Sequence, residues 1–346
     1  MKLKTLVKPL LYFFTIFLIL IIALFTFNNT LLTKHKPIDA KILVIEGWLP
    51  VTELENLQKL TDLNKYQEII IAGLSHHTYS LDNLNKHYNN IKSVRLPATL
   101  YHNGILYLNS ERLNELAMPD SIIRLTIFAS GSEAISRSAY FSVFINSTYI
   151  GGGFTGKETA PFTYSISQNL YPIKSIGIHY GNDITLGKID RNLSIDSVIL
   201  NKVTLKNEFY LAYTNTLGIK YLFFPFISSS EYDAVYLKSL GITQDLTVLD
   251  TLYDGRNRTY IEALKLRSYL EQKYKSIPSI NLVSIDGHSR RSFISYQTAL
   301  GRKASIGIIS FKDETKSDPL LQEIFYNLAE HFKLFISYLI YAGKIV

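Results

Sequence analysis

The chain has 346 residues, 47% of them hydrophobic, with a formal charge of +7 and no cysteine. That length and apolar content suit two folded units with accessory segments and exclude a disordered chain. The lack of cysteine excludes disulfides, thiolate zinc sites and a cysteine nucleophile.

Lys and Arg are scattered and form no basic stripe along one element, so no nucleic acid is expected as a partner. An anionic membrane surface or a phosphorylated lipid suits the positive balance better, and simple solubility accounts for it too. Tyr and Phe are abundant, at 24 and 19, against a single Trp. Tyrosines can line sugar sites or fill β-cores, and core filling is the commoner use.

The first element is apolar. Residues 10–27 read LLYFFTIFLILIIALFTF, with no charge from Pro9 to Thr33. At about 1.5 Å per residue, some 20 helical residues span a hydrocarbon layer. Lys2, Lys4 and Lys8 precede the run, which predicts one N-terminal transmembrane helix with a cytoplasmic N-terminus and the globular part outside. The alternative is a cleaved signal peptide, but Ala23 is followed by Leu-Phe-Thr-Phe, a poor cleavage site. The apolar end from Leu334 to Val346 is too short to span.

Lys41-Ile-Leu-Val-Ile-Glu46 predicts a buried strand ending at Gly47. Thr52 to Tyr66 predicts a helix with Leu54, Leu57 and Leu60 on one face and Thr52 and Glu55 as a capping box. Glu68 to Gly73 predicts a second buried strand. Strand, helix, strand with apolar strands points to a parallel sheet covered on both faces.

From Pro97 the pattern changes to short strands separated by Gly, Asn, Asp and Ser. They are expected around 105–108, 122–128, 140–145, 173–180 and 193–205. This rhythm predicts an antiparallel sandwich. From Ser228 the α/β pattern returns. Helices are predicted over 229–240, 258–275, 289–300 and 319–339, and strands over 246–249, 280–285 and 304–310. The economical fold class is α/β: a Rossmann-like parallel sheet, built from 39–98 and 206–346, split by an inserted β-sandwich at 99–205 and preceded by the anchor at 1–33.

Ligands of open parallel sheets bind beyond the carboxyl ends of the strands. That rule gathers Glu46 and Gly47, then Gly73 with Ser75, His76 and His77, then Ser284 and the turn Asp286-Gly287-His288. Ser289, Arg290 and Arg291 open the next helix, where backbone N–H groups, the helix dipole and two guanidinium groups suit phosphate or carboxylate. Glu46 and His288 are candidate proton carriers. A lone loop histidine is more often structural, and His76-His77 lacks a third metal ligand. Arg258 and Thr259 open another helix, where Thr259 is a cap or a ligand contact, with capping the simpler reading.

In the insert, Asn182 and Asp183 and then Asp190, Asn192 and Asp196 are rich in hard oxygen donors, which suit calcium. Ordinary turn chemistry explains the same residues.

Ala40-Lys-Ile-Leu-Val-Ile-Glu-Gly-Trp-Leu-Pro50, Asn257-Arg-Thr-Tyr-Ile-Glu-Ala263 and Ser284-Ile-Asp-Gly-His-Ser-Arg-Arg-Ser292 resemble the SanA/YdcF/ElyC-like family of bacterial envelope proteins, the DUF218 domain. Ser230-Glu231 before a helix ending Leu240-Gly241-Ile242 adds to the likeness. The resemblance implies a pocket at the strand ends holding Glu46, Gly47, Gly73, Glu231, Thr259, His288 and Arg291, and a role in cell-envelope processes. The first strand ends Glu-Gly-Trp where many members are glycine-rich, and the second strand has one glycine, not two.

Ile178-His-Tyr-Gly-Asn-Asp183 with Asp190-Arg-Asn-Leu-Ser-Ile-Asp196 resembles calcium-dependent xylan-binding carbohydrate modules. That implies Asp183, Asp190 and Asp196 as calcium ligands, helped by Asn182 and Asn192.

The expected function is binding or processing of a glycan or lipid-linked glycan at the membrane, by a hydrolase or transferase if it is an enzyme. The competing readings are a non-enzymatic carbohydrate-binding scaffold and, on fold analogy alone, a nucleotide binder.

Overall fold

A computed structural model describes residues 34–75, 91–117, 122–186, 188–206, 209–213, 228–251, 257–301, 303–311 and 332–336, with single positions at 15, 226 and 329. All of the apolar segment 10–27 but Thr15, together with His76, His77 and most of the predicted closing helix, lies outside the described residues. Among the described residues, no helix is long and apolar enough to cross a membrane. The chain forms two compact units, one built from 1–74 and 242–346 and the other from 75–241.

The first unit holds a five-stranded sheet in which every pairing is parallel. Its strands are β1 (Ile42–Glu46), β2 (Glu68–Leu74), β3 (Leu246–Thr251), β4 (Ile280–Ile285) and β5 (Ile306–Phe311), in spatial order 3-2-1-4-5. The reversal of strand order falls between β1 and β4. Every residue of β1, β2 and β4 is buried, as expected of β-branched runs covered on both faces.

Helix α1 (Val51–Leu60) follows β1. The structure corrects its predicted start: Pro50 is the N-cap, no side chain caps it, and Thr52 is buried within the helix. Proline suits that end because the first helical turn has N–H groups without partners in any case.

Helix α2 (Arg258–Lys273) joins β3 to β4, and α3 (His288–Leu300) joins β4 to β5. Their apolar stripes cover one sheet face. Ile42, Val44, Ile280 and Leu282 from the strands share a core with Ala263, Leu266, Leu270, Tyr296 and Ala299 from the helices. The large aliphatic side chains in that core each contribute roughly 1.5–3 kcal/mol on burial. Glu46 and Ser284 continue the same alternation and so face the same helices.

The second unit contains a six-stranded and a five-stranded sheet, both antiparallel. Their inner faces share one core that includes Leu106, Phe141, Ile178, Ile127, Val198 and Leu200. The predicted strands are present, and further strands occur at Lys92–Val94, Thr148–Phe154, Ala160–Ile166 and Phe209–Tyr213. Lys92–Val94 and Phe209–Tyr213 pair with each other, and the helix Ser229–Ser239 also falls in this unit. The unit thus begins before residue 99 and ends well after 205, the limits read from the sequence. The chain leaves the parallel sheet after β2 and returns just before β3, so the unit occupies the β2–β3 connection.

Candidate active site

A crevice at a reversal of strand order is where open α/β sheets bind ligands. Glu46 is the last residue of β1, and Ser284 stands one step beyond the final β1–β4 register pair, Ile45 and Val283. Both side chains are buried. The Gly47 N–H donates to the Ala72 carbonyl, which turns the chain away and leaves the Glu46 carboxyl at the sheet edge.

The turn from β4 into α3 is tight. Asp286 takes φ 38°, a region that Asp tolerates better than most residues. The Ser289 N–H and hydroxyl both donate to the Asp286 carbonyl. The turn sets His288 at the first helical position and puts Arg291, Ser292 and Tyr296 on the following turns of the same helix face.

The Ser292 hydroxyl donates to Glu46 Oε1 at 2.7 Å, and His288 Nε2 lies 3.8 Å from that oxygen. Arg291 Nη2 donates to His288 Nδ1 at 2.5 Å. A guanidinium has no acceptor, so Nδ1 must accept, and the neutral ring carries its proton on Nε2, the nitrogen that faces Glu46. The Trp48 ring meets the His288 ring edge-on at 4.5 Å. His288, Arg291 and Trp48 are half-buried, and Glu46 is fully buried.

Burial pushes the Glu46 carboxyl up to about 7, although Ser284, Ser292, Arg291 and Trp48 draw it part of the way back. On α2, Glu262 is held up at about 8, first by burial and then by the nearby Glu46, with Arg258 and Arg291 opposing. Glu262 was missed in the sequence reading. Its signal was its place on the buried stripe of α2 with Thr259, Ala263, Leu266 and Leu270, where a carboxylate is out of character.

The remaining candidates of this unit are placed as follows. Thr259 is buried in the first turn of α2 and is not the cap; Asn257 is, in the left-handed region at φ 66°. Arg258 is exposed beside it. Gly73 is a buried interior position of β2, paired with Asp250, and does not end the strand. Arg290 is turned one position around α3 from Arg291 and stands beside Lys34, whose ammonium is lowered to about 8 by burial and then by Arg290. Arg290 is therefore not gathered with Glu46. Glu231 lies in the second unit, where its N–H donates to the Ser228 hydroxyl that caps its helix.

The five predicted calcium residues also lie in the second unit, and they do not converge. The Asn182 amide is committed to the fold: its oxygen accepts from the Tyr140 N–H and its nitrogen donates to the Ser138 carbonyl. Asp196 is exposed at a bulge of its strand. Four steps of about 3.3 Å each separate it from Asn192, too far for one coordination shell.

Asp183 and Asp190 do face each other. Burial and then Asp190 push Asp183 up to about 6, against His102 and Arg191. Asp183 Oδ1 and Asn192 Oδ1 are buried without hydrogen-bond partners. Calcium takes six to eight oxygens. The donors here fit in kind but are fewer, and the buried Arg191 beside them already supplies positive charge, donating to the Asn182 and Ala134 carbonyls. Among the described residues no group of three or more His, Asp or Glu gathers as a metal site.

A shallow concavity of about 780 Å³ opens nearby, lined by Thr99, Tyr101, Ser130, Ser132, Lys157 and Asn192 among others. Tyr101 is 55% exposed at its rim.

No family model matches the chain, and no curated protein does. Among solved structures, a family two carbohydrate esterase from Cellvibrio japonicus is similar over 73% of this chain and 98% of that one, at 10% identity and a TM-score of 0.20. That likeness is too loose to describe a shared fold.

Proposed function

We propose that the crevice between β1 and β4 is an acid–base site that hydrolyses or transfers a phosphate- or sugar-bearing group of a lipid-linked glycan. We further propose that the protein belongs with the SanA/YdcF/ElyC-like envelope family and works from a single N-terminal membrane anchor, with its globular part outside the cytoplasm. The observation that carries the enzymatic reading is Glu46: a buried carboxyl at the strand-order reversal, 3.8 Å from a His288 whose tautomer Arg291 sets.

In this scheme the ionised Glu46 takes the proton of the attacking hydroxyl or water. The protonated Glu46 then returns that proton to the departing oxygen, while the His288 Nε2–H hydrogen-bonds the negative charge that develops there. Arg291, with Arg258 at the rim, holds the anionic group, aided by the N-terminus of α3.

Full-length protein in membranes, supplied with a lipid-linked sugar phosphate, should release product. His288→Ala should slow release by about 10²–10³-fold, the usual loss on removing one donor to developing negative charge, and Arg291→Ala should raise KM more than it lowers kcat. Unchanged turnover in both variants would remove the catalytic reading.

A second reading is favoured by the concavity of the other unit. Its hydroxyls, Asn192 and the exposed Tyr101 make a surface suited to sugar rings. On that reading the protein is a carbohydrate-binding scaffold. Polysaccharide binding that is lost on Tyr101→Ala, with no product release, would select it.

A further inference from the structure

The chain enters the first unit at the carboxyl edge of its sheet. Lys36 forms an antiparallel bridge with Ile308 of β5. Its N–H donates to the Ile308 carbonyl at 2.8 Å, and its carbonyl accepts from the Ile308 N–H at 3.0 Å. One residue earlier, His35 Nδ1 accepts from the Ser310 N–H at 3.1 Å. One earlier again, the Lys34 N–H donates to the hydroxyl of Ser289, the neighbour of His288, at 2.8 Å. Read toward its amino end, the entering segment thus runs along β5 to the edge where Glu46, Ser284 and His288 stand. The apolar run ends at Phe27, seven residues before Lys34. An extended chain covers at most about 3.6 Å per residue, so the end of that run lies within roughly 25 Å of Lys34.

The surface around Lys34 is basic and apolar. Its ammonium lies over the Phe293 ring of α3, 2.9 Å from the ring centre. Burial lowers that ammonium to about 8, and Arg290 and then Lys36 push the same way, so like charges gather here. Leu334, in the helical segment 332–336, shares a small core with Ile294, against which Phe293 and Tyr260 pack. Tyr260 and Phe293 stand in the early turns of α2 and α3, toward the helix ends that meet the carboxyl edge. With Leu334 turned inward, Phe332 and Phe335 share the outer side of their helix at a spacing of three. They are 66% and 57% exposed. Apart from Leu60, they are the large apolar side chains left exposed among the described residues of this unit. Aromatic rings beside cations suit the interface of an anionic bilayer, which seats the rings at headgroup level and attracts Lys and Arg.

We propose that the carboxyl edge of the parallel sheet docks on an anionic bilayer surface through Lys34, Arg290, Phe332 and Phe335. This rests on the reading of residues 10–27 as a membrane anchor and adds an orientation to it. Docking brings His288 and Arg291 to the layer of lipid headgroups, where the phosphate of a lipid-linked glycan lies, so the substrate need not leave the bilayer.

The chain has no cysteine, so single cysteines can be labelled without background. Full-length Phe332→Cys, Phe335→Cys and Lys275→Cys, each with a nitroxide label, are placed in vesicles of phosphatidylglycerol and phosphatidylethanolamine. Lys275 is exposed shortly before β4, at the amino edge of the sheet. Labels at 332 and 335 should be sheltered from a water-soluble relaxation agent and reached by oxygen dissolved in the lipid, and the label at 275 should show the reverse. Lys34→Ala should move the docked-to-undocked ratio about five-fold toward undocked, the worth of one basic residue at an anionic surface. Uncharged phosphatidylcholine vesicles should move it further.

If the labels at 332 and 335 are as open to water as the label at 275, in protein that stays with the vesicles through an alkaline carbonate wash, the docking is wrong and the anchor stands. Loss of the protein in that wash removes the anchor and the docking together. Shelter that persists in detergent and grows with protein concentration gives the patch to a second copy of the chain and overturns the docking.

Discussion

Two buried glutamates sit at opposite edges of the same parallel sheet and are treated in opposite ways. Glu68 opens β2 at the amino edge. It accepts from Thr247 Oγ1 at 2.8 Å, Lys273 Nζ at 2.9 Å, Tyr274 Oη at 2.6 Å and the Tyr269 hydroxyl. Burial raises its carboxyl, but Tyr269, Tyr274, Lys273 and Thr247 together override burial and bring it down to about 2. Glu46 closes β1 at the carboxyl edge, accepts the Ser292 hydrogen bond on one oxygen, and is left at about 7 with the other oxygen bare. The fold can satisfy a buried carboxylate fully, and it does so where the group only fastens α2 to the sheet. At the carboxyl edge it leaves one oxygen of the carboxyl without a partner, as functional sites commonly do.

The largest expected effect tests whether this contrast is energetic. Glu68→Ala strands four donors, one of them the Lys273 ammonium, and should lower unfolding free energy by about 3 kcal/mol at neutral pH, as for one partner of a buried charged network. Glu46→Gln removes a reluctant charge and should cost under about 1 kcal/mol, or stabilise above pH 7. Urea melts of the two variants check this, and equal losses would break the comparison.

The next effect lies in the pH dependence, where the signs are opposite. Glu68 is depressed in the folded state, so its contribution is present above its ordinary value of 4.5 and fades as pH falls toward about 2. Glu46 is raised, so the folded state holds its proton more tightly. Its contribution is present below 4.5 and is lost as pH rises through about 7. Over that span the loss is of order 3 kcal/mol, at about 1.4 kcal/mol for each pH unit. Stability measured from pH 4 to 8 should therefore decline, and Glu46→Gln should flatten the decline while leaving the acid limb of Glu68 in place.

This contrast also marks what the sequence made legible. Glu46, His288 and Arg291 stood out because each follows a run of β-branched residues, and the strand-end rule converts that into a location. Glu262 and Ser292 lie inside amphipathic helices, where period alone does not say which polar residue faces inward. Glu68 read as a strand start, and its four donors are 179 to 206 residues away in the chain, beyond any local pattern. In the second unit, Thr148–Phe154 carries three glycines and shows no clean alternation, so its strand was invisible. Asn182 and Asp196 looked like ligands because turn residues and calcium ligands are the same residue types. Only the fold shows that one amide is spent on Tyr140 and the other side chain faces solvent.

The smallest effect sharpens the comparison most. Tyr274→Phe removes one of four donors from Glu68 and should cost about 1 kcal/mol, with Glu68 still ionised throughout the neutral range because three donors remain. Ser292→Ala removes a hydrogen bond of similar length from Glu46 and should cost a similar amount. Here the carboxyl already stands at about 7, with Ser284, Arg291 and Trp48 left to oppose burial, so its midpoint should climb above 7 and the pH profile of product release should move with it. Two losses of equal free energy would then give one silent variant and one with displaced activity. If Ser292→Ala leaves the profile unmoved, the hydroxyl is a packing contact and Ser284, Arg291 and Trp48 alone offset burial at Glu46.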